Sequence, residues 1–194
     1  MNIFLYNLIV WLLIPFALLR IFYRSLMQPE YLNFWQERLG IYLNHQDNVS
    51  ATQTLWIHCV SLGETNAAIP FIKMVIREHP GIKILLSHGT LTGRKAFISS
   101  SKRIERCYLP FDSRGSVIRF LDHYQPTMGI ILETEIWPNL IHQCNLKTIP
   151  LFLANARLSE KSLMQYMRYK KFISICLNKI NHIYAQSESD RKNF

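Results

Sequence analysis

Residues 55–88 read LWIHCVSLGETNAAIPFIKMVIREHPGIKILLSH, and they decide the fold. An apolar, β-prone run, LWIHCVSL (55–62), gives way to a helical pattern and then to a second such run, KILLSH (83–88). The alternation continues outward through RCYLPF (106–111), MGIILETE (128–135), PLFLANA (150–156) and HIYAQS (182–187). Helices are expected between the runs, over 65–78, 92–101, 113–124, 137–146 and 159–180. Strand alternating with helix predicts an α/β fold built on a doubly wound parallel sheet. Near-continuous hydrophobicity in the runs at 55, 83, 128 and 150 fits strands covered by helices on both faces.

Upstream, residues 1–19 (MNIFLYNLIVWLLIPFALL) carry no charged side chain, and Arg20 and Arg24 follow. About 20 apolar residues cross a bilayer, so the segment is just long enough, with Asn7 and Pro15 as interruptions. It lacks the basic leader and small-residue cleavage site of a signal peptide, so an uncleaved membrane anchor helix is expected over residues 1–24. Arginines after the apolar run place the remainder in the cytoplasm by the positive-inside tendency. Tyr6, Trp11 and Tyr23 also suit interfacial depth. A spanning anchor, one lying in the interface and a helix docked on the domain therefore stay open. Residues 25–54 read as a short amphipathic helix around 31–39 and a polar linker, ahead of a domain over 55–194.

The 194 residues suit one domain plus an appendage, and 49% hydrophobic against 18% charged residues excludes disorder for the bulk. Lys and Arg number 22 against 13 Asp and Glu, a net charge of +9 that falls entirely within residues 51–194. That balance suits an anionic partner: nucleic acid, acidic lipid or a phosphorylated ligand. No nucleic-acid motif accompanies it. Cys59, Cys107, Cys144 and Cys176 are widely spaced and form no C-x-x-C, which argues for reduced thiols over a zinc site or disulfide framework. No histidine is assigned to a metal, and His58, inside the first run, reads as a satisfied core side chain.

Ligands of such sheets bind beyond the carboxyl ends of the strands, so the residues after each run are the candidates. Ser61, Gly63 and Glu64 follow the first run. Glu64 sits at a strand-to-helix turn, where a carboxylate serves as a general base or simply complements the helix dipole. Residues 87–94, with Thr90, Thr92, Gly93 and Arg94, lead into a helix whose free N–H groups suit an anion, or into a plain helix capped by Thr92. They match neither a dinucleotide nor a P-loop pattern. Glu133 and Glu135, two apart on one strand face, repel unless cations, ligand groups or water answer them. Asn155 and Arg157 orient a ligand or cap the following helix, which Ser159 and Glu160 open. That helix carries Lys161, Arg168, Lys170, Lys171 and Lys179 opposite an apolar side, a pattern suited to anionic lipid or to a solvated face.

Taken in order after the apolar segment, WIHCVSLGETNAAIP, TLTGR, YLPFD, ILETEIWPNL, LANARLSEKS and AQSESD resemble the 3-deoxy-D-manno-octulosonic acid (Kdo) transferases of lipopolysaccharide synthesis, from about Leu5 to Phe194. The resemblance implies the N-terminal Rossmann-like domain of a two-domain GT-B glycosyltransferase. Such an enzyme moves Kdo from CMP-Kdo to a phosphorylated lipid A precursor at the cytoplasmic face of the inner membrane, inverting the anomeric centre. By resemblance, Glu64 is the proton acceptor and Glu133 stabilises the transition state. Ser61, Gly63, Thr90, Thr92, Gly93, Arg94, Glu135, Asn155 and Arg157 are then expected on the acceptor side. No metal or cofactor is implied; membrane lipid and the acceptor are the expected partners, and nucleic acid is not.

The chain departs from the family's usual Thr-Met-Thr-Pro-Thr-Gly at residues 87–93 (SHGTLTG). The family continues into a second domain that binds CMP-Kdo. The chain is therefore expected to lack the C-terminal donor domain and to be inactive without it, unless a separately encoded donor domain joins it. The alternative is a non-enzymatic membrane-bound module that binds anionic lipid through Arg168, Lys170 and Lys171.

Overall fold

The computed structural model describes residues 2–43, 53–97, 101–158 and 160–193. After an N-terminal helix, α1 (Ile3–Ser25), strands and helices alternate: β1 (Gln53–Cys59), α2 (Leu62–Glu78), β2 (Ile82–His88), α3 (Leu91–Ala96), β3 (Ile104–Tyr108), α4 (Arg114–Tyr124), β4 (Met128–Leu132), α5 (Pro138–Leu146), β5 (Leu151–Ala156), α6 (Glu160–Met167), α7 (Lys170–Leu177), β6 (His182–Ala185) and α8 (Glu188–Arg191). The strands form the expected parallel sheet, six-stranded, in the order β3-β2-β1-β4-β5-β6. The chain's path reverses between β1 and β4, where such sheets open a crevice at the strand carboxyl ends.

Period two accounts for the apolar runs. Leu55, Ile57 and Cys59 point to one face, into a cluster with Ala68, Ile72 and Val75 of α2. Trp56 and Leu85 point to the other, into a larger cluster with Phe120 of α4, Leu140 of α5 and Phe172 of α7. Both faces of the central strands are covered, so polar alternation is missing from them. Trp56 lies across Gly129 of β4, where a Cβ would stand 2.7 Å from its ring. That close approach is what the glycine permits.

Where the structure departs from expectation, tertiary contacts are the reason. The helix expected around 31–39 is instead two 3-10 turns, Pro29–Leu32 and Trp35–Leu39, split by Phe34 in the left-handed region (φ 61°). Arg94 and the Tyr108 N–H draw Glu37 inward. Gly40 (φ 73°) ends the second turn against the Ser116 carbonyl, where a Cβ would come within 2.4 Å. The helix expected over 159–180 is two, α6 and α7, and the second brings Phe172 and Cys176 into the core; no glycine or proline marks the break. The fourth run ends as a strand at Leu132, because Glu133 is left-handed (φ 58°), so Glu133 and Glu135 do not share a strand face. His58 is buried but only half satisfied: its Nδ1 lies 2.8 Å from Ser87 Oγ, while Nε2 has no partner among the described residues. The helix expected over 92–101 is shorter and ends at Ala96. The linker at 44–52, residues 98–100 and Ser159 lie outside the described residues.

Helix α1 is long and apolar enough to cross a membrane, with a mean hydropathy of 2.0. It does not stand clear of the domain. Tyr6 Oη donates to Asp112 Oδ2 (2.8 Å), and Asn139 Nδ2 donates to Asn7 Oδ1 (2.7 Å). Asp112 also accepts the Asn139 and Leu140 N–H groups at the start of α5, which ties α1 to that helix end. Toward its other end, Phe22 packs on Trp35 and Arg24 donates to Tyr31 Oη (2.9 Å). The half-buried residues Tyr6, Val10, Ile14, Ala17, Ile21 and Ser25 recur at helical spacing, opposite the exposed Phe4, Leu8, Trp11, Leu12, Phe16 and Leu19. From Tyr6 to Arg24 the helix runs about 27 Å at its usual rise. In the structure the helix lies along the domain with an apolar stripe turned outward.

Candidate active site

Two loops meet at the switch point and bring three acids to one rim. Glu64 comes from the turn after β1, and Glu133 and Glu135 come from the loop after the adjacent β4. Their proximity is visible in Glu135, whose half-buried carboxyl is pushed up to about 7 by burial first and then by the charges of Glu64 and Glu133.

Glu64 is placed by helix-end chemistry. Helix α2 begins earlier than expected, at Leu62, which makes Glu64 its third residue and closes a capping box with Ser61. Ser61 Oγ accepts the Glu64 N–H (3.3 Å), while Glu64 Oε1 accepts the Ser61 N–H (3.1 Å) and the Ser61 hydroxyl (2.7 Å). Glu64 Oε2 accepts the Val60 N–H (2.7 Å). The residue is 7% exposed. A carboxylate offers about four acceptor sites, so one on Oε2 stays open to a further donor. Gly63 is not sterically required, since a Cβ there meets only Ser61 Oγ at 3.8 Å.

The loop after β2 joins the same frame. Thr90, not Thr92, caps α3: its Oγ1 accepts the Gly93 N–H (3.1 Å) and donates to the Val60 carbonyl (2.9 Å). Val60 therefore bridges the two loops, with its N–H on Glu64 and its carbonyl on Thr90. Gly93 packs on that carbonyl, where a Cβ would lie 3.1 Å away, and the Thr92 hydroxyl lies 3.3 Å from that of Thr90. Arg94 points elsewhere. Its guanidinium pairs with Glu37 and lies 4.2 Å and 4.6 Å from the Phe34 and Tyr108 ring centroids.

On the far side of the rim, Asn155 is exposed and left-handed (φ 55°), and the Arg157 side chain is exposed. The Arg157 N–H donates to Thr134 Oγ1 (3.0 Å), which in turn donates to the Arg157 carbonyl, so the end of β5 is fastened beside the acids. Sequence reasoning missed Thr134, although it stands between the two acids of the loop. It also missed Trp137, whose buried indole N–H faces the Glu135 carboxyl and opposes its upward shift, and His88, buried at the end of β2 and pushed down to about 4 chiefly by burial. A tryptophan two residues after Glu135 was the available signal, because a buried indole N–H usually finds an acceptor. Among the described residues, no group of three or more His, Cys, Asp or Glu side chains could hold a metal ion.

Residues 33–194 match the family model described as 3-deoxy-D-manno-octulosonic-acid transferase (kdotransferase). The chain is 34% identical to the 3-deoxy-D-manno-octulosonic acid transferase of Haemophilus influenzae, over 98% of its own length and 44% of the relative's. Identity to the protein of that name from Rickettsia bellii is 30%, over 98% and 45% of the two lengths. A bifunctional glycosyltransferase/methyltransferase of Fusobacterium nucleatum is 28% identical over 87% of this chain and 28% of the relative. The chain thus spans less than half the length of these curated relatives. The matched stretch contains the whole sheet, the capping box at Glu64 and the loop with Glu133 and Glu135, and with it the chain belongs to the Kdo transferase family of glycosyltransferases.

Proposed function

We propose that this chain forms the acceptor-binding side of a Kdo transferase, which moves Kdo from CMP-Kdo to a phosphorylated lipid A precursor at the cytoplasmic face of the inner membrane. The meeting of Glu64, Glu133 and Glu135 over the switch point carries the reading. The open acceptor site on Glu64 Oε2 takes the hydroxyl proton of the acceptor sugar. As that oxygen bonds to the anomeric carbon, its O–H bond pair stays on oxygen and the proton passes to Glu64. The bond to CMP breaks with its electron pair on the phosphate, and attack from the opposite side inverts the centre. Glu133, exposed on the rim, faces the positive charge that develops in an oxocarbenium-like transition state. Glu135 titrates near neutrality, which relieves repulsion among the three acids and supplies a donor to the sugar.

The Ser61 hydroxyl holds Glu64 in register, and Thr90, Thr92 and Gly93 shape the adjoining wall. Asn155 and Arg157 close the far side, and Arg94 acts through the loop it braces. CMP-Kdo belongs to the remaining half of the relatives' length, whether in one polypeptide or in a separately encoded partner. The outward stripe of α1 rests on membrane lipid. The alternative, a non-enzymatic module binding anionic lipid, is favoured by the exposed Arg168, Lys170 and Lys171 but leaves the shared rim of acids without a use.

Joining the chain to the carboxyl-terminal half of the Haemophilus influenzae relative tests the proposal. The chimera should transfer Kdo to lipid A precursor, and the chain by itself should not. Glu64→Gln should lower transfer by about 10²- to 10⁴-fold, the usual worth of a general base. A Glu64→Gln chimera as active as its parent overturns the assignment.

A further inference from the structure

Between the second half of α1 and the 3-10 turns lies a groove of about 280 Å³ that the acid rim does not use. Arg20 and Arg24 of α1 and Arg38 of the second turn line it, together with Trp35, Thr90 and Tyr108. None of the three arginines is paired with a carboxylate among the described residues, although six ion pairs form elsewhere. Arg38 is held in place by the Gly89 carbonyl, to which its Nη2 donates (2.7 Å), and by the Tyr108 ring, 4.0 Å beneath it. Arg24 donates to Tyr31 Oη (2.9 Å), and both Arg20 and Arg24 are exposed. Glu37, already held by Arg94, is the acid whose charge reaches Arg38, so Arg20 and Arg24 are left to call for an anion, and guanidinium groups match a phosphate in geometry as well as charge.

Two further features narrow the ligand. Ala17, Ile21, Leu91 and Phe111 also line the groove, so an occupant can carry apolar groups beside its charge. It also shares Thr90 with the candidate site: Thr90 donates to the Val60 carbonyl, and the Val60 N–H donates to Glu64. One residue, Val60, separates groove from acid. Small-ligand pockets begin at about 300 Å³, so the space suits a phosphate and the sugar ring that carries it.

We propose that this groove binds the phosphate monoester of an acylated sugar headgroup, with Arg20 and Arg24 on the phosphate and Arg38 stiffening the wall. The proposal rests on the acceptor reading above: the phosphate is the acceptor's own, seated here while its sugar hydroxyl reaches Glu64.

Arg20→Gln and Arg24→Gln, both at exposed positions, test it in the full chain. Binding is measured to phosphatidylcholine vesicles doped with lipid A precursor, with phosphatidic acid (a monoester) or with phosphatidylglycerol (a diester) at matched charge. Each substitution should weaken binding to the precursor about tenfold, the loss expected for one charge-assisted hydrogen bond, and should affect phosphatidylglycerol far less. Equal losses on all three vesicles, or no loss on any, overturn the groove assignment. Monoester selectivity that depends on both arginines but does not distinguish the precursor from phosphatidic acid upholds the groove and overturns the acceptor reading.

Discussion

Glu37→Gln should loosen the junction between the N-terminal turns and the loop that carries Thr90. The Glu37 and Arg94 side chains keep only 12% and 13% exposure. Glu37 Oε2 takes the Arg94 guanidinium and the Tyr108 N–H (2.7 Å), and Oε1 takes Arg94 Nη2 (3.2 Å). Burial pushes this carboxyl up, against the opposing pull of Arg94 and the Tyr108 N–H. Glutamine keeps an oxygen for Tyr108 but leaves Arg94 charged and unpaired in a largely dry site. Breaking a buried pair from one side costs about 3 to 5 kcal/mol, and the retained amide oxygen and residual exposure put this case at about 3. For a chain of this size that lowers Tm by about 6 to 12 °C.

Thermal unfolding of Glu37→Gln, Arg94→Gln and the double variant, followed by circular dichroism in detergent, reads the effect. The two losses should fall short of additive in the double variant by about 1 kcal/mol or more. A Glu37→Gln melting point within about 1 °C of the parent, or strict additivity, would refute the claim that this pair holds the junction.

Other consequences are equally direct. Glu135, raised by burial and its acidic neighbours from 4.5 to about 7, keeps its proton longer folded than unfolded. Its stabilising contribution is complete below the lower value and lost as pH rises through the upper one. Glu135→Gln should therefore flatten the decline in urea stability between about pH 5 and about pH 8, and identical slopes in parent and variant contradict this. Burial pushes Cys59 and Cys144 up to about 12 and Cys176 up to about 11. A thiol reagent should thus label the unfolded chain completely and the native chain only at the rate of global opening, and a rapid native phase would be incompatible. Gly129→Ala drives a Cβ to 2.7 Å from Trp56 and 2.8 Å from Leu151. It should cost about 1 to 3 kcal/mol in a denaturant titration, and a neutral outcome would mean the ring can retreat.

The sheet was legible in the sequence because its central strands are apolar on both faces, and the runs at 55, 83, 128 and 150 each became one of them. Segment ends were less legible, because they depend on partners far along the chain. Glu37 looked like one more acid of an amphipathic stretch until Arg94 and the Tyr108 N–H drew it inside. Arg94 in turn read as a ligand residue because Glu37 precedes it by a distance that no local pattern spans. Glu64 and Glu135 meet only because β4 settles beside β1. That adjacency belongs to the winding order and not to either motif. The break between α6 and α7 carries no glycine or proline, so only the burial of Phe172 reveals it.

The attachment of α1 at both ends has a mechanical meaning. Fastened through Tyr6 and Asn7 near its start and through Arg24 near its finish, the helix is a spacer of set thickness. Wherever its outer stripe rests on lipid, the acids stand at one fixed height above that surface. Under the function proposed above, an amphiphile whose sugar stopped short of that height would be passed over before any side chain touched it.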